Sequence, residues 1–174
     1  MPPILLYEIP YRTRFSMQPE IIHELSRHER IIGMKVCNTD MFHFLQILAG
    51  VDASFAVLSG EDTLFPLHIA AGAPGGMIVL PTLLPKAWRQ IFDLASTGKT
   101  TEALARHREF IPLIKMAFAE TNPGPIKAVM DLIGVDSPEL LAPLVPPAQS
   151  LREPLRAEVK RLLAKFESGC DTDA

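Results

Sequence analysis

Short apolar runs without alternation recur along the first half of the chain, and they predict buried β-strands. Each run has five to seven residues rich in Ile, Val, Leu or Phe. This pattern is typical of strands in a parallel sheet that helices cover on both faces. The four runs are residues 3–9, 31–36, 54–58 and 76–80. We therefore predict four strands, each buried on both faces.

Segments with helical spacing of apolar residues lie between these runs. Ile21, Ile22 and Leu25 fall on one helix face, and Thr39-Asp40 supplies a helix start. The predicted helices cover residues 18–28, 39–49, 61–71 and 83–95. The strand starts are about 22 to 28 residues apart, which is the length of a repeated βα unit. Because crossovers between such strands are right-handed, we expect a parallel sheet and an α/β fold.

The alternation of strands and helices stops near Gly98. Beyond it the pattern predicts three helices, with a proline-rich connector before the last, and a frayed tail from Ser168. These helices cover residues 100–119, 125–132 and 151–166. The sequence thus predicts a strand-containing part at residues 1–97 and a helical part at residues 98–174.

Composition narrows the class of protein. With 48% hydrophobic and 21% charged residues the chain is globular, and its 174 residues are few for a complete (β/α)₈ barrel, which needs about 250. The net charge is −3 with scattered Lys and Arg, so we expect no nucleic-acid partner. An apolar run of the roughly 20 residues that span a bilayer is absent, so no membrane partner is expected. Cys37 and Cys170 are far apart in sequence, and we expect a reducing, cytoplasmic location without a disulfide.

Lys35 is the most informative candidate for chemistry. It lies near the carboxyl end of an apolar strand, between Met34 and Val36. A buried lysine has a lowered pKa, and its neutral amine can attack a carbonyl to form a Schiff base. The alternative is a lysine that reaches from the strand end to water or pairs with a carboxylate.

Tyr7 and Arg12 occupy the matching end of the preceding strand and the loop after it. In an α/β fold this end carries the site, where a phenol can relay protons and a guanidinium can hold a carboxylate. The alternatives are an aromatic residue filling the core and a solvated loop charge. Glycines at position 60 and at 75–76 would let backbone approach a ligand, although ordinary turns explain them equally well.

Metal and phosphate motifs fail on their spacing. Gly98-Lys99-Thr100-Thr101 resembles the end of a phosphate-binding loop, but Asp93 stands where that loop needs a glycine. The pair Glu61-Asp62 fits charge at a helix start better than a metal or acid–base pair. We therefore expect no metal and no cofactor.

Several motifs together resemble the family of dihydrodipicolinate synthase and N-acetylneuraminate lyase. These are Schiff-base lyases and aldolases of pyruvate-like substrates, built on a TIM barrel. The order and spacing of the motifs agree to about Leu163. They are Tyr7-Glu8-Ile9-Pro10-Tyr11-Arg12-Thr13, Ile32-Gly33-Met34-Lys35, Leu58-Ser59-Gly60-Glu61-Asp62, Gly75-Gly76-Met77-Ile78-Val79, Asn122-Pro123-Gly124-Pro125-Ile126-Lys127 and Leu144-Val145-Pro146.

The resemblance implies a role for each matching residue. Lys35 would form the imine with pyruvate, and Tyr7 would relay protons to and from that adduct. Arg12 would bind the carboxylate of the second substrate, which favours the dihydrodipicolinate synthase branch and aspartate semialdehyde. The backbone around Met77 would line the pyruvate pocket, with Gly60 beside it. The alternatives are another pyruvate-dependent aldolase or lyase of this family, and an inactive remnant or assembly subunit.

The same resemblance implies that the chain is the C-terminal half of a (β/α)₈ barrel followed by a helical extension. Half a barrel has two open edges, so we expect a homo-oligomer or a partner that supplies the other four βα units. The chain departs from the family pattern at Glu8, where asparagine is usual, and at Tyr11, where a small residue is common. Ile78 stands where serine is common.

Overall fold

The structure, a computed structural model that describes residues 2–136 and 138–167, contains a parallel β-sheet. Within these residues the sheet has three strands in the order β1-β2-β3. They are β1 (Ile4–Glu8), β2 (Ile31–Val36) and β3 (Ala56–Ser59). Both strand pairs are parallel. The predicted α/β class and the parallel direction of these strands are therefore confirmed.

The fourth predicted strand, at residues 76–80, forms a single parallel bridge between Gly76 and Ser59. A short 3₁₀ helix at Leu80–Thr82 follows it. The prediction of a full strand fails because proline and glycine surround this segment: two glycines at 75–76 have no side chains to pack, and Pro81 has no N–H for a ladder.

The helices largely follow the predicted segments, with different ends. Asp40 caps helix α3 (Met41–Gly50) as expected, because its carboxylate accepts hydrogen bonds from the N–H groups of Phe42 and His43. The helix predicted over residues 61–71 begins only at Phe65, so Glu61 and Asp62 precede it. The helix predicted over residues 100–119 is divided, with Pro112 in the first turn of its second part. The bounds are α1 Pro10–Thr13, α2 Pro19–Ser26, α3 Met41–Gly50, α4 Phe65–Ala70, α5 Pro85–Ser96, α6 Thr100–Arg108, α7 Ile111–Ala117, α8 Gly124–Lys127 and α9 Gln149–Phe166.

Burial differs between the strands. In β2, Met34 and Val36 are fully buried on one face, but Ile32 is 48% exposed, so the predicted burial of the whole strand holds only in part. In β1, by contrast, Ile4, Leu5 and Tyr7 are exposed, so the prediction that every strand is buried on both faces is wrong for this strand. The physical reason is its position, because β1 lies at one edge of the described sheet and pairs with β2 alone.

Two compact units divide the chain. The first contains the residues up to Ile78 together with Phe92–Leu104, and its core is built around the sheet, with Phe44 and Ile47 of α3 fully buried. The second contains Val79–Ile91 and the residues from Ala105 onward. Its core is aromatic: ring centroids lie 5.8 Å apart for Trp88 and Phe110 and 5.2 Å apart for Phe110 and Phe166. The predicted frayed tail from Ser168, with Cys170, lies outside the described residues.

The helices of the described ranges were also compared with the length and hydropathy that a bilayer span requires. None of them meets both requirements.

His68 in the core of the first unit gives a testable dependence of stability on pH. It is fully buried, stacked on Phe44 with centroids 3.8 Å apart, and its Nδ1 lies 2.8 Å from Ser59 Oγ. Burial lowers the pKa of His68 from 6.5 to about 4. Between these values the unfolded chain binds a proton that the native state excludes. The contribution of neutral His68 to the free energy of unfolding is therefore complete above pH 6.5. It falls by up to about 3 kcal/mol as the pH is lowered towards 4.

Urea unfolding at pH values from 4.5 to 7 measures this slope. His68→Gln should flatten it, whereas His28→Gln, a change at an exposed histidine, should leave it unchanged. Equal slopes in the wild type and His68→Gln would contradict the assignment.

Candidate functional site

Lys35 and Tyr7 face each other at the carboxyl ends of adjacent strands. They are register partners in the pairing of β1 with β2, and Lys35 Nζ lies 4.5 Å from the centroid of the Tyr7 ring. Tyr7 is 52% exposed, so it does not fill the core. Desolvation of its hydroxyl raises the pKa of Tyr7 above its ordinary value, and a hydrogen bond with Cys37 adds to the rise. A protonated phenol thus lies beside an amine, an arrangement that suits proton transfer.

Gly60 brings the β3–α4 turn against the lysine side chain. Its N–H donates to the carbonyl of Val36 over 2.8 Å. A Cβ added at Gly60 would lie 3.0 Å from Lys35 Cε and 2.7 Å from the Val36 carbonyl oxygen, and would also meet Cys37 Sγ. A side chain at position 60 is therefore excluded mainly by the Val36 carbonyl oxygen and Cys37 Sγ, with Lys35 Cε close beside them.

Cys37 packs beneath Tyr7 and Gly60 on the buried side of the site. It is a buried free thiol, and its Sγ donates to the carbonyl oxygen of Gly60 over 3.1 Å. The same sulfur lies 3.7 Å from the hydroxyl oxygen of Tyr7. Burial raises the pKa of the Cys37 thiol, so the neutral thiol is the form that makes these contacts.

Arg12 lies in a helical turn, where the sequence predicted a loop. Proline at position 10 begins α1, and the N–H of Arg12 donates to the carbonyl of Ile9 over 3.0 Å. Its guanidinium carbon is 5.7 Å from the centroid of the Tyr11 ring. Desolvation raises the pKa of Tyr7 and of Tyr11, and the positive charge of Arg12 partly opposes the rise in both.

Met77 joins the same end of the sheet through its backbone. Its N–H donates to the carbonyl of Ser59 over 2.8 Å, and the N–H of Ser59 donates to the carbonyl of Gly75 over 3.0 Å. These bonds hold residues 75–77 beside the end of β3. The Met77 side chain is 49% exposed.

Acidic residues follow the turn at Gly60. Burial raises the pKa of Glu61, the neighbouring Asp62 raises it further, and Lys35 acts to lower it. The carboxylate of Glu61 accepts a hydrogen bond from Thr63 Oγ1 over 3.4 Å. A search of the described ranges for three or more His, Cys, Asp or Glu side chains that could hold a metal found no such group.

Two residues of the site region escaped the sequence predictions. The sequence predictions treat Cys37 only as a cysteine without a disulfide, although its position two residues after Lys35 places it at the same strand end. His43 contacts the carboxylate of Glu8 and had no sequence signal, because its partner lies 35 residues away. Glu8 itself was visible only as a departure from the family pattern.

The fold and site together define an α/β protein with a lysine and a tyrosine paired at the carboxyl ends of parallel strands. The sequence model of the dihydrodipicolinate synthetase family matches residues 1–162. The chain belongs to this family, and the resemblance predicted from its motifs is confirmed.

Similar proteins of known sequence carry the same family name. A 4-hydroxy-tetrahydrodipicolinate synthase of Methanococcus maripaludis is 35% identical over 161 residues, which are 92% of this chain and 55% of that protein. One from Methanococcoides burtonii is 34% identical over 171 residues, which are 97% of this chain and 56% of that protein. The chain therefore spans about half the length of the relatives that it matches.

Solved structures agree with this assignment. The 4-hydroxy-tetrahydrodipicolinate synthase of Methylacidiphilum fumariolicum SolV has a TM-score of 0.84 and 31% identity, covering 95% of this chain and 56% of that one. The chloride-inhibited dihydrodipicolinate synthase of Acinetobacter baumannii, solved in complex with pyruvate, has a TM-score of 0.85 and 27% identity. That match covers 92% of this chain and 55% of the other.

Proposed function

We propose that this chain carries the imine-forming site of a 4-hydroxy-tetrahydrodipicolinate synthase, which condenses pyruvate with aspartate semialdehyde. The observation that carries the proposal is the position of Lys35 Nζ, 4.5 Å from the centroid of the Tyr7 ring in a member of this family. Pyruvate as the first substrate is supported by the related Acinetobacter baumannii enzyme, whose structure holds it.

The proposed reaction begins with attack of the neutral Lys35 amine on the keto carbon of pyruvate. Loss of water from the resulting carbinolamine gives the imine, and removal of a methyl proton converts the imine to an enamine. The enamine carbon then forms a bond to the aldehyde carbon of the second substrate, whose oxygen takes up a proton. In this scheme the Tyr7 hydroxyl moves the protons, and Arg12 holds the carboxylate of the aldehyde.

Gly60 and Met77 supply the walls for the small keto acid. Gly60 leaves room beside Lys35 Cε, since a Cβ there would lie only 3.0 Å from that atom. The backbone at Met77 is held next to Ser59 at the end of β3, which suits a pocket lined by peptide groups rather than by side chains. A related pyruvate-dependent aldolase or lyase would use the same walls with a different aldehyde.

The architecture that supports this function is half of a (β/α)₈ barrel with a C-terminal helical extension. Three parallel strands in the described part of the chain, and the bridge at Gly76, correspond to four βα units in this proposal. Exposed apolar residues on β1, including Ile4 and Leu5, fit an edge that another half-barrel covers. The partner would be a second copy or a chain with the remaining four units.

A different class of function is an inactive subunit that keeps the family fold for assembly. The observation that favours it is the exposed apolar surface of β1, where Ile4 and Leu5 are each 38% exposed. Light scattering after size-exclusion chromatography, with and without pyruvate, measures the assembly. Self-association without any covalent capture of pyruvate would favour this candidate.

The deciding experiment is reduction by borohydride in the presence of pyruvate. An imine on Lys35 is reduced to a stable secondary amine, and mass spectrometry of the digested protein locates it. We expect one 1-carboxyethyl group, the reduced form of the pyruvate imine, on Nζ of Lys35 and none on the other lysines. Absence of the adduct in a folded sample would remove the Schiff-base proposal.

Tyr7→Phe should slow imine formation while preserving the fold. The substitution keeps the ring beside Lys35 and deletes only the hydroxyl that would move protons. General acid–base groups contribute about 10²- to 10⁴-fold, so we expect trapping to slow by at least about a hundredfold. The rate of borohydride-trapped adduct measures this, and Tyr11→Phe is the matched control. Equal rates for the two variants would contradict the role of Tyr7.

A further inference from the structure

Glu8 is a buried carboxylate next to the site, and the proposed reaction does not use it. It directly follows Tyr7 at the end of β1 and is 3% exposed. A buried charge is costly unless hydrogen bonds compensate it, so the contacts of this side chain require an explanation.

Donors from two other segments converge on the Glu8 carboxylate. Its Oε1 accepts from Ser16 Oγ over 2.7 Å and from the N–H of Met17 over 3.1 Å. Both carboxylate oxygens lie 3.2 Å from Nε2 of His43, which belongs to α3. Since a hydroxyl and an amide donate to it, the carboxylate is the acceptor, and His43 completes the group with its Nε2–H.

These contacts close the segment that carries Arg12. The segment leaves β1 at Glu8, passes through α1 and returns with Ser16 and Met17 to the side chain of the same Glu8. The return turn contains Arg14 in the left-handed region, with φ of 59°. Both ends of the segment are therefore attached to one residue, which restricts where Arg12 can lie.

We propose that Glu8, supported by His43, is a positioning residue that holds the Arg12 segment in place for the carboxylate of the second substrate. This inference rests on the proposed function. A preorganised segment binds its ligand more tightly because less freedom is lost on binding. The same carboxylate that closes the segment also contacts His43 of α3, so the segment is tied to that helix as well.

Glu8→Met tests the proposal, because it keeps side-chain length and removes all three acceptor contacts. Hydrogen exchange at the Met17 amide should become at least about tenfold faster, as expected for loss of a hydrogen bond to a charged group. In a single turnover with limiting pyruvate, added aldehyde consumes the imine and so lowers the amount that borohydride traps. The aldehyde concentration that halves the trapped amount should rise by about tenfold or more in Glu8→Met. Imine formation itself should stay within about twofold, because Lys35 and Tyr7 remain in place.

Glu8→Gln is the conservative variant, since its amide oxygen can still accept from Ser16 and Met17. The aldehyde concentration that halves the trapped imine should be close to the wild-type value in Glu8→Gln. Glu24→Gln removes a charge from an exposed position of α2 and should change neither measurement. If Glu8→Met does not fold, Glu8→Gln decides, with exchange at Met17 expected to be about threefold faster after loss of the His43 contact.

The outcomes separate this inference from the proposed function. Failure of the wild type to trap pyruvate would refute the proposed function. Hydrogen exchange at the Met17 amide would still test whether Glu8 holds the Arg12 segment. Unchanged exchange at Met17 in the Glu8 variants would overturn the positioning role. The positioning role would also be overturned if the Glu8 variants lost imine formation and the reaction with the aldehyde to the same extent, because this would indicate general damage to the fold.

Discussion

Replacement of Lys35 by arginine is expected to abolish the pyruvate adduct while the protein stays folded. The guanidinium keeps the positive charge and can remain over the Tyr7 ring, where the ammonium now lies 4.5 Å from the centroid. Arginine stays protonated at all accessible pH values, so it offers no neutral amine to attack the keto carbon. The adduct on position 35 should therefore fall below detection, as measured by mass spectrometry after borohydride reduction.

Lys115→Arg is the matched control, because it makes the same chemical change at an exposed position of α7. It should trap pyruvate at the wild-type rate. Urea unfolding should show that both variants keep the wild-type free energy of unfolding within about 0.5 kcal/mol. An adduct that persists in Lys35→Arg, on any other lysine, would show that the Schiff base forms elsewhere and would refute the assignment.

The sequence predicted the positions of the strands best where apolar residues are consecutive, whether or not those residues are buried. Residues 31–36 form β2 with the predicted bounds, and the run at residues 3–9 contains β1. Both runs have a strong local pattern that the final packing preserves. The run at residues 76–80 has equally apolar residues, yet it makes one bridge, because Gly75, Gly76 and Pro81 weaken strand pairing locally.

The arrangement of the candidate site was predictable to the extent that sheet register determines it. Parallel strands bring their carboxyl ends to one edge, and the pairing of Tyr7 with Lys35 follows from that geometry. The contacts of Glu8 with His43 and of Cys37 with Gly60 depend on how the helices and turns pack on the sheet. They join residues that are 35 and 23 positions apart, and no spacing rule in one sequence relates such pairs.

Length remains the property that most affects the proposed function. A chain that spans about 55% of its relatives can retain the lysine and the tyrosine, because both lie on neighbouring strands of the described sheet. In the proposed assembly, a second half-barrel covers the exposed apolar residues of β1 and brings further groups to the lysine. The trapping experiment should therefore be run on the chain alone and at increasing protein concentration, where a rising rate per chain would indicate assembly of the site.

Gly60→Ala should have the second large effect, because the added methyl group has no space. Its Cβ would lie 2.7 Å from the Val36 carbonyl oxygen and 3.0 Å from Lys35 Cε, and it would also meet Cys37 Sγ. The carbonyl belongs to a buried strand and cannot move freely, so the β3–α4 turn or the lysine must shift. Overpacking of this kind costs about 1–3 kcal/mol of the free energy of unfolding.

The displacement should affect chemistry more than stability. A misplacement of about 1 Å near reacting groups can cost about a hundredfold in rate, so we expect trapping of pyruvate to slow by about that factor. Gly75→Ala is the matched control on the same sheet end, since a Cβ there would meet only Leu58 Cδ2, at an ordinary 3.9 Å. It should unfold and trap pyruvate like the wild type. Equal trapping rates in the two alanine variants would show that close approach of Gly60 to Lys35 does not control the reaction.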